Sequence, residues 1–225
     1  MRTAVIIQAR MTSSRLPGKV MLPLWDKTVL GQVLSRCQQI KNIDVVCCAI
    51  PLGKDHDVLI AEAEKYNAVI FRGSELNVLE RYYEAAKHLK ADIIMRVTSD
   101  CPLINPEVCS DVLQMHIQNK AEYTCNNLPP TWPHGYDCEV FGIEELKNSL
   151  QYATHPEDFE HVTEWMRRTL KVHNFENPEG NHRHIRITLD TPEDYAFIKK
   201  INPSSTSLKL LLKDVDTLTK NSSKI

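Results

Sequence analysis

Three cationic side chains and a run of hydroxyl residues lie together near the start of the chain. Residues 10–19 read RMTSSRLPGK and include Arg10, Arg15 and Lys19. Guanidinium and ammonium groups offset negative charge, while hydroxyls and backbone N–H groups hold phosphate oxygens. The segment therefore indicates a phosphate-binding loop, although a solvated basic loop has the same composition. It matches neither the glycine fingerprint of dinucleotide-binding folds nor the Walker motif.

Two aspartates lie where a strand is predicted to end and are not needed to begin the next helix. After Asp100, the next helix already has Asn105 as its N-cap, and Asp190 lies one residue before the predicted N-cap Thr191. Carboxylate oxygens suit a hard cation such as Mg²⁺. We therefore predict that Asp100 and Asp190 hold Mg²⁺, the alternative being two ordinary turn aspartates.

The elements that must position these residues are clearest in the first half of the chain. Short apolar segments predict buried parallel strands at 4–9, 45–50, 68–72 and 92–98. Amphipathic helices are predicted at 28–40, 76–89 and 106–118. This alternation predicts an α/β fold with a parallel sheet, in which ligands bind beyond the carboxyl ends of the strands. If the first and fourth strands are neighbours, the basic loop and Asp100 face one crevice and form a triphosphate-plus-metal site.

The second half has a different pattern. Strands are predicted at 122–126, 137–141 and 184–190. Helices are predicted at 157–170, from Pro192, and at 208–218. We expect a single domain over 1–203, with a nucleotide-binding half at 1–120 and an acceptor-binding half at 121–203. A C-terminal helix and tail follow at 204–225.

Composition and charge argue against several classes of protein. The net charge of −2 comes without the basic stripe typical of proteins that grip duplex nucleic acid. No apolar run reaches membrane length, and the first apolar segment is too short for a signal peptide. The seven cysteines are odd in number and form no C-x-x-C motif, which is typical of reduced thiols. We expect a cytoplasmic protein that binds neither nucleic acid nor a membrane.

The segment IIQARMTSSRLPGK resembles the N-terminal signature of the sugar-acid cytidylyltransferases. These include the CMP-KDO and CMP-sialate synthetases, and the spore-coat polysaccharide cytidylyltransferase-like proteins are especially similar. The similarity continues through RGSELNVLERYYEAA, RVTSDCPLI, DCEVF, EHVTEWMRR and LDTPEDYAFI, over nearly the whole chain. It implies a three-layer α/β/α nucleotidyltransferase fold, like that of the GT-A glycosyltransferases, with a mostly parallel sheet. It also implies cytidylyl transfer from CTP to an acidic keto-sugar for a surface polysaccharide or glycan, with Mg²⁺ as cofactor and pyrophosphate as product.

The resemblance also implies roles for individual residues. Catalysis is expected of Arg10, Arg15, Lys19 and Asp100, and Mg²⁺ binding of Asp100 and Asp190. Nucleotide binding is expected of Ala9, Arg10, Met11, Ser13, Ser14, Arg15, Lys19, Arg81 and Ser99. Acceptor binding is expected of Asp137, Glu139, Glu160 and His161. Gln8 stands where the better-known synthetases have proline.

The expected reaction is in-line attack by a sugar hydroxyl on the α-phosphorus of CTP, catalysed mainly by positioning and charge neutralisation. No general base is evident, and His161 suits that role or a structural one. Cations for the acceptor's carboxylate are available in the second half: Arg167, Arg168, Arg183 and Arg186. We expect CTP and a small sugar acceptor as ligands, and a homodimer as the candidate assembly.

Two alternatives to a cytidylyltransferase stay open. A GT-A glycosyltransferase would use a nucleotide-sugar donor, and Asp137-Cys138-Glu139 is the nearest match to its D-x-D metal motif. A nucleotide-binding module without catalysis would regulate a partner, although the presence of Arg15, Lys19, Asp100 and Asp190 argues against decay of the site. A nucleotidyltransferase with another type of acceptor is a variant of the main prediction.

Overall fold

The protein, as a computed structural model, is described over residues 1–203 and 207–222. In these residues the strands are β1 Thr3–Gln8, β2 Pro23–Leu24, β3 Lys27–Thr28, β4 Val45–Pro51, β5 Val69–Gly73, β6 Ile93–Thr98, β7 Tyr123–Cys125, β8 Glu139–Gly142 and β9 Val172–Asn174. The helices are α1 Val29–Cys37, α2 Val58–Glu64, α3 Val78–Leu89, α4 Pro106–Asn119, α5 Ile143–Tyr152, α6 Pro156–His161, α7 Glu164–Thr169, α8 Pro192–Ile198 and α9 Leu208–Ser222.

Seven of these strands form one sheet in the order β5-β4-β1-β6-β8-β7-β9. The pairs β1–β4, β1–β6, β4–β5 and β7–β9 are parallel, and β8 is antiparallel to both β6 and β7. The first and fourth predicted strands are therefore neighbours, with Gln8 opposite Thr98 at their carboxyl ends. The predicted mostly parallel sheet is confirmed, and β2 and β3 form a separate hairpin.

Helices cover both faces of the sheet because its strands are apolar on both sides. Along β1, Val5 and Ile7 pack into one cluster with residues of α1, α2 and α4. The alternate residues Ala4 and Ile6 pack into a second cluster with residues of α3, α5 and α7. This alternation follows the two-residue period of a strand. The predicted three-layer α/β/α fold is confirmed.

A third apolar cluster joins the β2–β3 hairpin to the last part of the chain. It includes Leu24, Trp132, Ile187 and Leu211, so α9 packs on the rest of the protein. The predicted divisions at residues 120 and 203 stay predictions, and residues 204–206 and 223–225 of the predicted tail lie outside the described residues. None of the helices in the described part of the chain combines the length and apolar character needed to cross a bilayer. All seven cysteines are buried free thiols.

Two predicted elements of the second half are wrong. The helix expected at 157–170 is divided into α6 and α7 at Val162, whose φ of 69° cannot continue a right-handed helix. Residues 184–190 form no strand and make only an isolated bridge, at Arg186 opposite His134. The backbone N–H groups of Ile187 and Leu189 instead donate to the carbonyl oxygens of His134 and Asp100. This second contact brings Asp190 to the end of β6.

Candidate functional site

A crevice of about 270 Å³ opens at the carboxyl ends of β1 and β6. Its lining combines the end of β1 and the basic loop after it, residues of β6 and the turn that follows, α3, α6 and Asp190, two residues before α8. The lining residues are Gln8, Ala9, Arg10, Ser13, Ser14, Arg15, Lys19, Val20, Val78, Arg81, Arg96, Thr98, Ser99, Asp100, Glu160, His161 and Asp190. The crevice thus occupies the position at which open parallel sheets bind ligands.

The basic loop turns back on itself before it presents Lys19. Gly18 has a φ of 70°, and its N–H donates to the carbonyl oxygen of Met11 over 2.9 Å. That backbone conformation is open to glycine at little cost. Lys19 follows immediately and begins a 3₁₀ turn that ends at Met21. The turn explains how a loop of ten residues places cations from both of its ends in one crevice.

Lys19 joins the two predicted metal-binding aspartates. Its Nζ donates to Asp100 Oδ2 over 3.0 Å, to Asp190 Oδ1 over 2.9 Å and to the carbonyl oxygen of Leu189 over 2.7 Å. All three donors of this buried ammonium group are therefore satisfied. Two carboxylates separated by 90 positions in sequence meet at one point of the crevice, as the predicted triphosphate-plus-metal site requires.

Asp190 is held by two further cations. Arg15 Nη2 lies 2.8 Å from its Oδ1, and Arg186 Nη2 donates to its Oδ2 over 2.6 Å. Burial raises the pKa of Asp190, but the hydrogen bonds from Lys19 and Arg186 outweigh burial and hold it below its ordinary value. Asp190 is therefore an anion at neutral pH. The capping box predicted beside it is present, with Thr191 and Asp194 bonded to each other's backbone N–H groups.

Asp100 and Asp190 fit a magnesium ion that is completed by phosphate oxygens. Both present carboxylate oxygens at the crevice wall, and Lys19 shows that one cation reaches both of them. Among the described residues, no group of three or more metal-ligating side chains occurs. Two carboxylates without a third side chain are the pattern of Mg²⁺ bound together with substrate phosphates, not of a cation enclosed by protein alone.

Buried polar atoms lie unpaired in residues of the crevice floor. Gln8 Oε1, Arg81 Nε and Arg96 Nε are buried, and none of them has a hydrogen-bond partner among the described residues. The three residues all line the crevice, so the floor offers both an acceptor and donors. Buried polar groups in proteins are normally satisfied. A polar ligand or water at this floor could supply the missing partners.

Arg96 is a site residue that the sequence analysis missed. It lies in the middle of β6, and its Nη1 donates to Glu139 Oε2 over 2.5 Å. Burial opposes the charged form of Arg96, but the nearby carboxylate more than compensates and raises its pKa. A charged residue inside an apolar strand segment was the available signal. Val20, Val78 and Thr98 also line the crevice without having been singled out.

The opposite wall contains two of the predicted acceptor residues. Glu160 and His161 end α6, and both line the crevice. Arg10 Nη2 lies 3.9 Å from Glu160 Oε1, so the basic loop and α6 approach each other across the opening. Of the fifteen residues predicted for the site, twelve line the crevice.

Met11, Asp137 and Glu139 do not line the crevice. Met11 packs against the apolar cluster beneath the loop. Asp137 accepts hydrogen bonds from Arg183 Nη1 over 2.6 Å and from the backbone N–H of Gly135. The contacts of these three residues are therefore with the protein itself, and the near match to a D-x-D motif at 137–139 does not face the crevice.

Glu139 lies in a closed network behind the crevice floor. It is 1% exposed and accepts hydrogen bonds from Tyr123 over 2.6 Å and Thr163 over 2.9 Å, in addition to that from Arg96. Arg167 Nη1 lies 3.6 Å from Oε1. Burial raises the pKa of Glu139, but Arg96 and Arg167 overcome that effect and the net pKa is lowered. Glu139 is therefore a positioning residue, because its carboxylate holds Arg96 in place.

Comparison with known proteins agrees with this geometry. The sequence model of the cytidylyltransferase family matches residues 4–216. The chain belongs to the cytidylyltransferase family. The spore coat polysaccharide biosynthesis protein SpsF of Bacillus subtilis is 32% identical over 205 residues, which cover 87% of this chain and 84% of that protein.

Solved structures support the same assignment of this cytidylyltransferase. A cytidylyltransferase from Leptospira borgpetersenii superposes with a TM-score of 0.89 at 31% identity, over 99% of this chain and 96% of that one. A CMP-2-keto-3-deoxy-manno-octonic acid synthetase in complex with CTP has a TM-score of 0.66 at 18% identity, over 88% and 97% of the two chains. At this lower identity the likeness concerns the fold.

Proposed function

We propose that this cytidylyltransferase transfers the cytidylyl group of CTP to an acidic keto-sugar and releases pyrophosphate. The observation that carries the proposal is the meeting of Lys19, Asp100 and Asp190 at one point of a crevice that also contains Arg10 and Arg15. A triphosphate needs cations, and its metal needs carboxylates. Family membership and the CTP complex of a structural neighbour support CTP as the nucleotide.

The chain's own side chains would act through charge and position. Arg10, Arg15 and Lys19 would bind the phosphates and offset the charge that develops on the leaving pyrophosphate. Asp100 and Asp190 would hold Mg²⁺, which would supply electrostatic stabilisation at the phosphates when bound. Ser13, Ser14 and Ser99, which line the same crevice, would offer hydroxyl and backbone N–H groups to the nucleotide.

The carboxylate of an acidic acceptor needs a cation in the crevice. Each of the four second-half arginines considered for its carboxylate has an acidic partner: Arg167, Arg168, Arg183 and Arg186 pair with Glu139, Asp158, Asp137 and Asp190. Arg10 is paired more loosely: Glu160 Oε1 lies 3.9 Å from its Nη2, and the Arg10 side chain is 45% exposed. We therefore propose that Arg10, beside Glu160 and His161, meets the acceptor's carboxylate in addition to phosphate oxygens. The similarity to SpsF supports a surface polysaccharide as the destination.

A pyrophosphate-release assay with CTP, Mg²⁺ and a panel of acceptors tests the proposal. We expect release with a carboxylated keto-sugar and none with neutral sugars or sugar phosphates. Lys19→Met is the matched control, because it removes the cation at the centre of the site and should abolish release. If only neutral or phosphorylated sugars react, the acceptor is wrong and the reaction class survives. No release from CTP with any acceptor would contradict the reaction itself.

A further inference from the structure

A second cavity of about 620 Å³ lies between α1, the first turns of α4 and the chain at Pro203. In the described part of the chain, it shares no lining residue with the crevice. Its wall consists of polar and charged side chains and two prolines. None of the residues given a role in the proposed reaction lines this cavity.

Arg36 is the buried charge of this cavity. It is 6% exposed, and its Nη2 makes one long hydrogen bond of 3.5 Å to the carbonyl oxygen of Pro203. Its Nε is buried and has no hydrogen-bond partner in the part of the chain that the structure describes. Arg36 forms no ion pair with any residue in 1–203 or 207–222, in contrast to Arg96 and Arg167, which share Glu139. Burial lowers the pKa of Arg36, with smaller opposing effects of Tyr136 and Cys37.

A buried guanidinium without an anion is an unusual arrangement. Moving a cation out of water is costly unless an anion or several acceptors replace the lost hydration. Arginines that are almost fully buried are therefore normally paired. Because Arg36 lines a cavity large enough for a metabolite, a ligand can supply the missing anion.

The charges around Arg36 indicate what kind of ligand fits. Lys41 adds a second cation, and Lys27 donates a hydrogen bond to Asp26, so these two charges offset each other. Glu107 is the remaining acidic side chain of the wall, and both Glu107 and Lys41 are exposed. A guanidinium fork matches the paired oxygens of a carboxylate or phosphate. We infer that this cavity binds a small anion, a compound carrying a carboxylate or phosphate group, through Arg36 and Lys41.

Calorimetric titration with inorganic phosphate, and in parallel with malonate, tests this anion site. Four variants are compared with the parent protein: Arg36→Met, Arg36→Lys, Lys41→Met and, for the crevice, Arg15→Gln. We expect Arg36→Met to weaken anion binding at the cavity by about 10- to 100-fold. Arg15→Gln changes only the crevice and should leave anion binding at the cavity unchanged. Arg36→Lys keeps the charge but loses the fork and should weaken binding less. The relative effects on phosphate and malonate show which oxyanion the site prefers.

Stability and turnover separate this site from the nucleotide chemistry. In buffer without oxyanions, Arg36→Met should unfold at the parent's temperature or higher, because an uncompensated buried charge has been removed. Its pyrophosphate release should equal that of the parent, whichever nucleotide proves to be the substrate. Parent-like anion binding by Arg36→Met would overturn the inference. If Arg36→Met does not fold, unchanged anion affinity in both Arg36→Lys and Lys41→Met would overturn it.

Discussion

Two clusters of carboxylates and cations meet β6, one at Arg96 and the other at Asp100 just beyond its end, and they differ in whether solvent reaches their carboxylates. At the crevice, Asp100 is 28% exposed and shares Lys19 with Asp190. Behind the floor, Glu139 is 1% exposed and its contacts are with Arg96, Tyr123, Thr163 and Arg167. An open cluster can exchange its internal ion pairs for phosphate and metal, whereas a closed one is limited to positioning. Chemical type alone therefore does not define a site.

The largest expected effect is the loss of turnover when a carboxylate of the open cluster is removed. Asp100→Asn and Asp190→Asn should each reduce turnover by several hundred-fold or more, the scale of losing a key electrostatic group. Neither carboxylate begins a helix, so both variants should fold, and Asp190→Asn should lower the free energy of unfolding more than Asp100→Asn because Asp190 is the more buried partner of Lys19. Steady-state pyrophosphate release and a denaturant titration measure the two quantities. Near-normal turnover in a well-folded variant would remove that residue from the site.

In the closed cluster around Glu139, the main effect of losing the carboxylate should be on stability. Glu139→Gln preserves the shape of the side chain but leaves Arg96 and Arg167 without their shared carboxylate. We expect a loss of about 3 kcal/mol in the free energy of unfolding, the scale of breaking a buried ion pair. Glu84→Gln, at the exposed pair with Lys87, is the matched control and should cost well under about 1 kcal/mol. A loss no larger than that of the control would mean that the two clusters do not differ as described.

A smaller effect is expected in how the free energy of unfolding depends on acid pH. The pKa of Glu139 is lowered in the folded protein, so its stabilising effect is present above the unfolded value near 4.5. That effect is lost as the pH falls through the folded value. Glu139→Gln should therefore show a flatter decline of stability below about pH 4.5. An unchanged slope relative to the parent would assign the acid sensitivity to other carboxylates.

Some of this arrangement followed from local sequence rules. Asp100 and Asp190 were predicted because Asn105 and Thr191 already serve as caps, and the structure confirms both caps. The order of strands and helices fixed which loops reach the carboxyl edge of the sheet. The neighbouring strands β1 and β6 then brought the basic loop and Asp100 together.

Other features depend on contacts that no local rule contains. Glu139 pairs with Arg96 across 43 positions, and its burial follows from the antiparallel pairing of β8 with β6. The break between α6 and α7 lies at Val162, a β-branched residue with positive φ, where neither glycine nor proline signals an end. Val162 is fully buried in the apolar cluster that also contains Ala4 and Ile6, so its side chain packs in the core at this break. The break at Val162 ends α6 at His161, and both Glu160 and His161 line the crevice.

The central claim is that the open cluster binds CTP together with Mg²⁺. Thermal unfolding in the presence of CTP, ATP, GTP or UTP, each with and without Mg²⁺, tests it most directly. CTP with Mg²⁺ at about 100 times its Kd should add about 2.7 kcal/mol to the free energy of unfolding, more than any other nucleotide at the same concentration. Asp100→Asn should lose the part that depends on Mg²⁺. Equal shifts for all four nucleotides, or no shift with CTP, would contradict the claim.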